Sequence, residues 1–357
     1  MERNAKVANM GFGCALLVVA LHLADAPQEA GTPTWLVYAF VRQVLATVAV
    51  PYFFLVSGYF LAQRSGDSGW WRRAVSKRVR TLGVPYLVWC LVPFLAFSVL
   101  WPVGSPDGIC ARAQMKASSV AAAFGLNFFT NPEANRPLWY LRDLFLLVSM
   151  SPLVGWLVRK TGGWVLFAFA GLFLAVNPGT LDFPGFWIGQ RWRIFWTFGF
   201  SLEGLLYFGV GWFLAGHPMS LTRRAGAVLG VAGLAVGLVG VKLAASGSPW
   251  FGYACELSTP FVMAFLWAWV PSAARAPWLV GNAFAVYVMH PIFLRLMLEP
   301  RRVFPDVPPM CFVEWAVAVV LSLLVAIGLR KTLPGIARLA FGGREGKERM
   351  KMKRMSR

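Results

Sequence analysis

Long apolar runs, interrupted by short polar or basic stretches, dominate this chain. A helix that crosses a bilayer needs ~20 mostly apolar residues. The pattern predicts ten such segments, at roughly 7–24, 43–62, 81–101, 137–158, 164–177, 194–214, 225–245, 250–270, 278–298 and 313–333. The fifth is short. The second is long and contains Pro51, which a membrane helix tolerates when neighbours satisfy the carbonyl that proline frees. In segment seven, Gly226, Gly230, Gly233, Gly237 and Gly240 recur at spacings of four, three, four and three. That puts them on one face, where close helix packing is expected and a substrate groove is the alternative. The predicted fold is all-α: a polytopic membrane protein with about ten transmembrane helices.

Composition agrees with lipid as the solvent. Of 357 residues, 58% are hydrophobic and 14% charged, against ~25% charged in ordinary soluble domains. Seventeen Trp and 29 Phe would leave a soluble protein with apolar patches it could not cover. The five cysteines, Cys14, Cys90, Cys110, Cys255 and Cys311, stand singly with no CxxC pair, so neither a metal site nor a disulfide framework is expected.

The net charge of +19 changes the picture most. In a soluble chain it would suggest nucleic acid, but no binding module for RNA or DNA is recognisable and the charges lie in short loops. With the N-terminus inside and the loops alternating, the inside segments are 1–6, 63–80, 159–163, 215–224, 271–277 and the tail from Arg330. They hold 23 of the 34 Lys and Arg and four acids, Glu2, Asp67, Glu345 and Glu348. The remainder holds 11 basic and 11 acidic residues (34 less 23, and 15 less four). All the excess positive charge therefore falls on one side, as the positive-inside rule requires. Both termini are expected in the cytoplasm, with a membrane domain over 1–341 and a basic tail over 342–357 close to anionic lipid.

The N-terminus has a second reading. Arg3 and Lys6, the run Met10–Leu21 and Ala24-Asp25-Ala26 resemble a secretory signal with a small-residue cleavage site, with Pro27 placed to hinder the cut. Cleavage would remove His22 and leave nine spans. Two outside loops are long: 102–136, with a stretch at 111–129 able to form a surface helix, and 178–193 with Arg191 and Arg193.

Ionisable groups inside a membrane cost several kcal/mol unless paired or solvated, so they are the best pointers to function. His22, near the outer end of the first span, is a general base or an interfacial histidine. Arg142 and Asp143 lie inside the outer end of span four. Neighbours on a helix point ~100° apart, so each is expected to find its partner on another helix, as a structural pair or a polar substrate site. His290 stands before Pro291 in span nine, in a kinked helix or beside a binding site. Glu203 and Glu256 are further buried acids, and Ser57-Gly58 permits close helix approach. Arg64, Arg72, Arg73, Lys77, Arg78 and Arg80 form the densest cationic patch. It serves topology and lipid headgroups or docks a phosphate-bearing ligand.

Four stretches then resemble one family. They are Pro51-Tyr-Phe-Phe-Leu-Val-Ser57-Gly58-Tyr59, Lys77-Arg78-Val-Arg80-Thr-Leu-Gly-Val-Pro85-Tyr86-Leu-Val-Trp89, Leu138-Trp139-Tyr140-Leu141-Arg142-Asp143-Leu144 and Gly281-Asn-Ala-Phe-Ala-Val-Tyr287-Val-Met-His290-Pro291. In order and spacing they are similar to the motifs of the integral-membrane acyltransferase 3 family, bacterial O-acyltransferases of surface carbohydrates. The resemblance implies a bacterial cytoplasmic-membrane enzyme that takes an acyl group, acetyl by default, from acyl-coenzyme A as co-substrate, with no bound cofactor. The acceptor it implies is a carbohydrate or glycolipid hydroxyl. It carries the family's catalytic histidine onto His22 and its donor-binding basic loop onto Lys77, Arg78 and Arg80. Trp139, Tyr140, Arg142, Asp143, Tyr287 and His290 would line the central cavity. One departure stands out: many members place an Arg about ten residues before the catalytic His, whereas Asn9-Met-Gly-Phe12-Gly-Cys14 has no basic residue. A multi-pass transporter or flippase, and an inactive relative acting as sensor or scaffold, are the competing readings.

Overall fold

A computed structural model describes residues 5–23, 30–96, 124, 135–176, 201–248, 250–272, 277–297 and 310–343. The suggested surface helix at 111–129 (residue 124 apart), the loop 178–193, the signal-like Ala24–Ala26 and the tail from 344 lie outside these residues. Every regular element among them is helical. In chain order they are α1 (Ala5–Leu21), α2 (Pro33–Ala62), α3 (Trp70–Leu95), α4 (Trp139–Ser149), α5 (Ser151–Lys160), α6 (Val165–Val176), α7 (Leu202–Gly216), α8 (Arg223–Ala245), α9 (Phe251–Trp269), α10 (Pro277–Val280), α11 (Ala283–Leu296), α12 (Met310–Thr332) and α13 (Pro334–Phe341). By length and composition α2, α3, α8 and α12 can each cross a membrane, and the bent pair formed by Arg136–Ser149 and α5 would make a fifth span; α1, α6, α7 and α11 are shorter apolar helices.

Three elements depart from the predicted segments, each for a local reason. Helix α2 begins at Pro33 rather than near 43. Thr32 caps it, its hydroxyl accepting the Trp35 N–H at 3.4 Å, and proline suits the first turn. The charge at Arg42 is carried inside the helix because its Nη1 donates to the Tyr38 hydroxyl one turn back, at 2.8 Å. Ahead of Pro51 the winding loosens over Val41–Leu45 and tightens over Ala46–Val48, a rewinding that absorbs the missing amide and the ring. Helix α3 reaches back through the basic residues to Trp70, with a wide turn at Val79–Gly83 before Pro85. The predicted span four breaks at Met150, where α4 and α5 diverge by 62°. Pro152 has no N–H for the Val148 carbonyl, and the Ser151 hydroxyl donates to that carbonyl instead, at 2.6 Å.

The glycine stripe packs as expected. A Cβ at Gly230 would lie 2.5 Å from Phe265, at Gly237 2.5 Å from Val44, and at Gly240 2.7 Å from Cys255, so α8 lies against α9 and α2 with no room for side chains. The opposite face of α8 exposes Val228 and Val231, at 70% and 72%; an apolar face this open is one that lipid solvates. Helix α2 crosses α7 more closely still. A Cβ on Gly58 would meet the Phe208 carbonyl, and one on Gly211 the Leu55 carbonyl. At the C-terminal end, α13 lies against α3. Trp89 Nε1 donates to the Ala340 carbonyl at 2.8 Å, and Phe341 stacks on the Trp89 ring.

Candidate active site

His22 sits one residue beyond α1 and is exposed, its backbone N–H donating to the Val19 carbonyl at 3.1 Å. Helix α11 brings His290 against it: the ring centroids are 5.3 Å apart and the planes tilted by 32°. His290 is fully buried. Its Nδ1 lies 3.2 Å from the Val286 carbonyl, which can only accept, so Nδ1 carries the proton and Nε2 is left with its lone pair. That Nε2 is buried with no hydrogen-bond partner. Pro291 adds a second irregularity here, because it cannot bond the Tyr287 carbonyl one turn back.

Below the histidines lies an aromatic cluster. Tyr287 stands 6.4 Å from His290 by ring centroids, and its hydroxyl donates to the Pro137 carbonyl. Tyr140 meets Tyr287 edge-on at 5.9 Å and Phe54 at 4.8 Å. Trp139 also lies near Phe54, with ring centroids 6.4 Å apart. A line of ring contacts therefore runs from the histidine pair through Tyr287 to Tyr140. Arg78, at the end of the first part of α3, is half-buried. Lys77 and Arg80, flanking Arg78, are exposed.

Arg142 and Asp143 are placed otherwise than expected. They pair with each other: Arg142 Nε and Nη2 both donate to Asp143 Oδ1 at 3.1 Å. The ~100° offset between neighbours does not prevent this, because the guanidinium is long enough to fold back along the helix. Asp143 does reach another helix through its second oxygen, Oδ2, which accepts the Ser201 N–H at 2.8 Å. Ser201 caps α7, so a carboxylate and a helix N-terminus satisfy one another. The buried Asp143 thereby ties α4 to α7 with both oxygens in use.

One residue absent from the sequence-derived candidates organises this region. Asn135 is buried, and its Nδ2 donates to the Trp89 and Val288 carbonyls, each at 3.1 Å. Pro93 lies four residues after Trp89 inside α3 and has no N–H for that carbonyl; Asn135 supplies the missing donor. The short turn Arg136–Leu138 is thus pinned between α3 and α11, by Asn135 on one side and by Pro137 under Tyr287 on the other. An Asn-Arg-Pro run ahead of an apolar segment was the visible signal, but its partners are 46 and 153 residues away. Asn135→Ala leaves the Trp89 carbonyl without a donor in the protein interior. We expect a loss of about 1–3 kcal/mol, measured as a lower melting temperature of the purified protein in detergent; an unchanged melt would remove Asn135 from this role.

An open apolar groove of about 580 Å³ lies elsewhere, between the Gly162–Ala170 region and α7.

These features define a helical membrane protein with a histidine pair set against its aromatic core. A family model described as acyltransferase domain matches residues 12–331, and the chain belongs to that family, acyltransferase 3. Over 155 residues it is 29% identical to the succinoglycan biosynthesis protein ExoH of Rhizobium meliloti (strain 1021), a match covering 40% of each chain. The chain therefore aligns with about two fifths of that relative's length. No solved structure matches.

Proposed function

We propose that this protein is a membrane O-acyltransferase that moves an acyl group, acetyl by default, from acyl-coenzyme A to a hydroxyl of a cell-surface or lipid-linked carbohydrate. In this reading the chain crosses the bacterial cytoplasmic membrane about ten times with both termini inside. Family membership supports the reaction class, and the relative's role in succinoglycan biosynthesis supports a polysaccharide acceptor. The observation that carries the proposal is the His22–His290 pair, set against Tyr287 and Tyr140.

The roles follow from chemistry. His22 takes the proton of the acceptor hydroxyl as its oxygen attacks the thioester carbonyl. The new C–O bond forms, the C–S bond breaks, and the departing thiolate recovers a proton as free coenzyme A. The bare Nε2 of His290 is an acceptor for a ring N–H of His22, holding that ring with its other nitrogen turned to the acceptor. Lys77, Arg78 and Arg80 bind the donor's phosphates from the cytoplasmic side. Trp139, Tyr140 and Tyr287 wall the path between donor and acceptor, while the Arg142–Asp143 tie keeps α4 in register.

The test supplies labelled acetyl-coenzyme A to membranes with and without the protein. Label that accumulates on lipid-linked or extracted polysaccharide only with the protein supports transfer. Labelled sugar or lipid that crosses sealed vesicles with no acyl transfer supports a transporter and ends the enzyme reading. Arg78→Gln is expected to raise the KM for acyl-coenzyme A by about tenfold with kcat little changed, the mark of lost ground-state binding. A fall in kcat at unchanged KM would take Arg78 out of the donor site.

A further inference from the structure

The basic turn of α3 is gripped by an element far along the chain. Val79–Gly83 is wound more widely than an α-helix, and wide turns of this kind are rare and recur at functional sites. Its local bonding is thin. Pro85 has no N–H to give to the turn before it, and the buried Thr81 hydroxyl has no hydrogen-bond partner among the described residues. Helix α13 packs on this turn. Gly342 ends α13 with its backbone in the left-handed region, at φ +70°. A Cβ there would lie 2.7 Å from the Thr81 carbonyl oxygen and 3.2 Å from the Thr81 Cα, so the conformation and the close approach both call for glycine. One residue earlier, Phe341 stacks on Trp89, with ring centroids 6.0 Å apart and planes 25° from parallel. The Ala340 carbonyl accepts the Trp89 indole N–H at 2.8 Å, and Trp89 is fixed in its turn by Asn135, which donates to its carbonyl. The Arg330 guanidinium lies 5.5 Å from the Phe341 ring centroid and reaches the Gly281 carbonyl at 3.4 Å. Helix α13 is thereby joined to α12 and, through Arg330, to the start of α11, as well as to α3.

We propose that α13 is a clamp on the donor site, in which Phe341 and Gly342 are positioning residues that hold the wide turn in the winding that sets Arg78 and Arg80 relative to each other. This rests on the reading of Lys77, Arg78 and Arg80 as the donor's phosphate ligands and adds what keeps them in place. A guanidinium binds phosphate through a rigid fork of N–H donors, so its direction matters as much as its charge. A turn free to rewind as ordinary α-helix would rotate Arg80 about the axis relative to Arg78. Gly342 against Thr81, and Phe341 on Trp89, hold the turn at its middle and at the helix that follows it.

The test uses the full-length protein in lipid nanodiscs and reads equilibrium binding of coenzyme A together with the kinetics of transfer from acetyl-coenzyme A. Phe341→Ala is expected to raise the Kd for coenzyme A and the KM for the donor by about tenfold, with kcat within about twofold of wild type, the split that marks lost ground-state binding. Phe341→Trp keeps a ring on Trp89 and should restore most of the affinity. A purely structural role would lower the melting temperature and the active fraction without moving the Kd of the folded protein. Gly230→Ala on α8, whose Cβ would lie 2.5 Å from Phe265, is the control of that kind. Should Phe341→Ala fail to fold, Gly342→Ala decides the matter: its methyl presses on the Thr81 carbonyl, Phe341 is untouched, and the same rise in Kd is expected. A wild-type Kd in the folded clamp variant, with binding weakened in Arg78→Gln, overturns the clamp and leaves the donor site standing. A wild-type Kd in Arg78→Gln as well removes the donor site, and the proposal falls with it. A rise in Kd that Gly230→Ala reproduces also overturns the proposal, because loss of stability alone then accounts for it.

Discussion

Membranes carrying His22→Ala transfer acyl label to carbohydrate about 100- to 10,000-fold more slowly than wild type, the usual share of a positioned general base. The expectation rests on where His22 sits. It follows α1 in an exposed position, so removing its ring opens no buried cavity, and the variant should accumulate in the membrane at the wild-type level. A loss of transfer without a loss of protein is then a chemical loss. His290 sharpens the test. Its Nε2 is buried, without a hydrogen-bond partner among the described residues, and beside His22, which makes it a rival base at this place. If His22→Ala transfers at the wild-type rate while His290→Ala does not, the base is His290 and the assignment to His22 is wrong. If His22 is the base, His290→Ala lowers kcat by loosening the His22 ring and leaves the donor KM unchanged.

Gly211→Val is expected to abolish folded protein. Helices α2 and α7 cross with backbone against backbone at this point. A Cβ on Gly211 would strike the Leu55 carbonyl, and one on Gly58 the Phe208 carbonyl. Neither obstacle is a flexible side chain that can turn away, so the helices must separate. Separation would also withdraw Phe54 from Tyr140 and from Gly204, whose own Cβ position the Phe54 ring fills. Overpacking of a single core site costs ~1–3 kcal/mol; a clash between two backbones exceeds that range and approaches the whole stability of a folded domain, about 5–15 kcal/mol. The measurement is the fraction of monodisperse protein recovered from detergent extracts. Wild-type recovery and melting would show that the crossing is looser than these contacts indicate. Gly328→Val is the control, since a Cβ there meets nothing within 4 Å.

Much of the framework was legible in the chain. The runs at 225–245, 250–270 and 313–333 are recovered within three residues as α8, α9 and α12, because an uninterrupted apolar helix is set by composition and local hydrogen bonding. The glycine stripe and Ser57-Gly58 were legible for a related reason: small residues at helical spacing leave close packing as their main use. Elsewhere local rules competed. Pro152 ended α4 because a serine hydroxyl offered its carbonyl an alternative, and Arg42 stayed inside α2 because Tyr38 stood one turn away. Both are i to i+4 or shorter relations, visible once sought, yet hydropathy weighs each residue alone.

The candidate site divides along the same line. His22, Arg78, Tyr140, Tyr287 and His290 were each identifiable from residue type, depth and motif. The meeting of the two histidines and two tyrosines was not, because ring contacts bring it together from three segments of the chain. Asn135 reads in the sequence as the end of a long loop. Its importance comes from a carbonyl that Pro93 freed and from Val288, 153 residues away. By itself, then, the sequence determined the helical class, the acyltransferase family and the identity of its chemical groups, since these depend on composition and local pattern. Only the tertiary structure decided that Arg142 serves Asp143, that Asn135 pins the turn, and that His290 meets His22. Polar side chains in a low-dielectric interior take whatever partner the fold brings within hydrogen-bond reach, and sequence distance does not encode that reach.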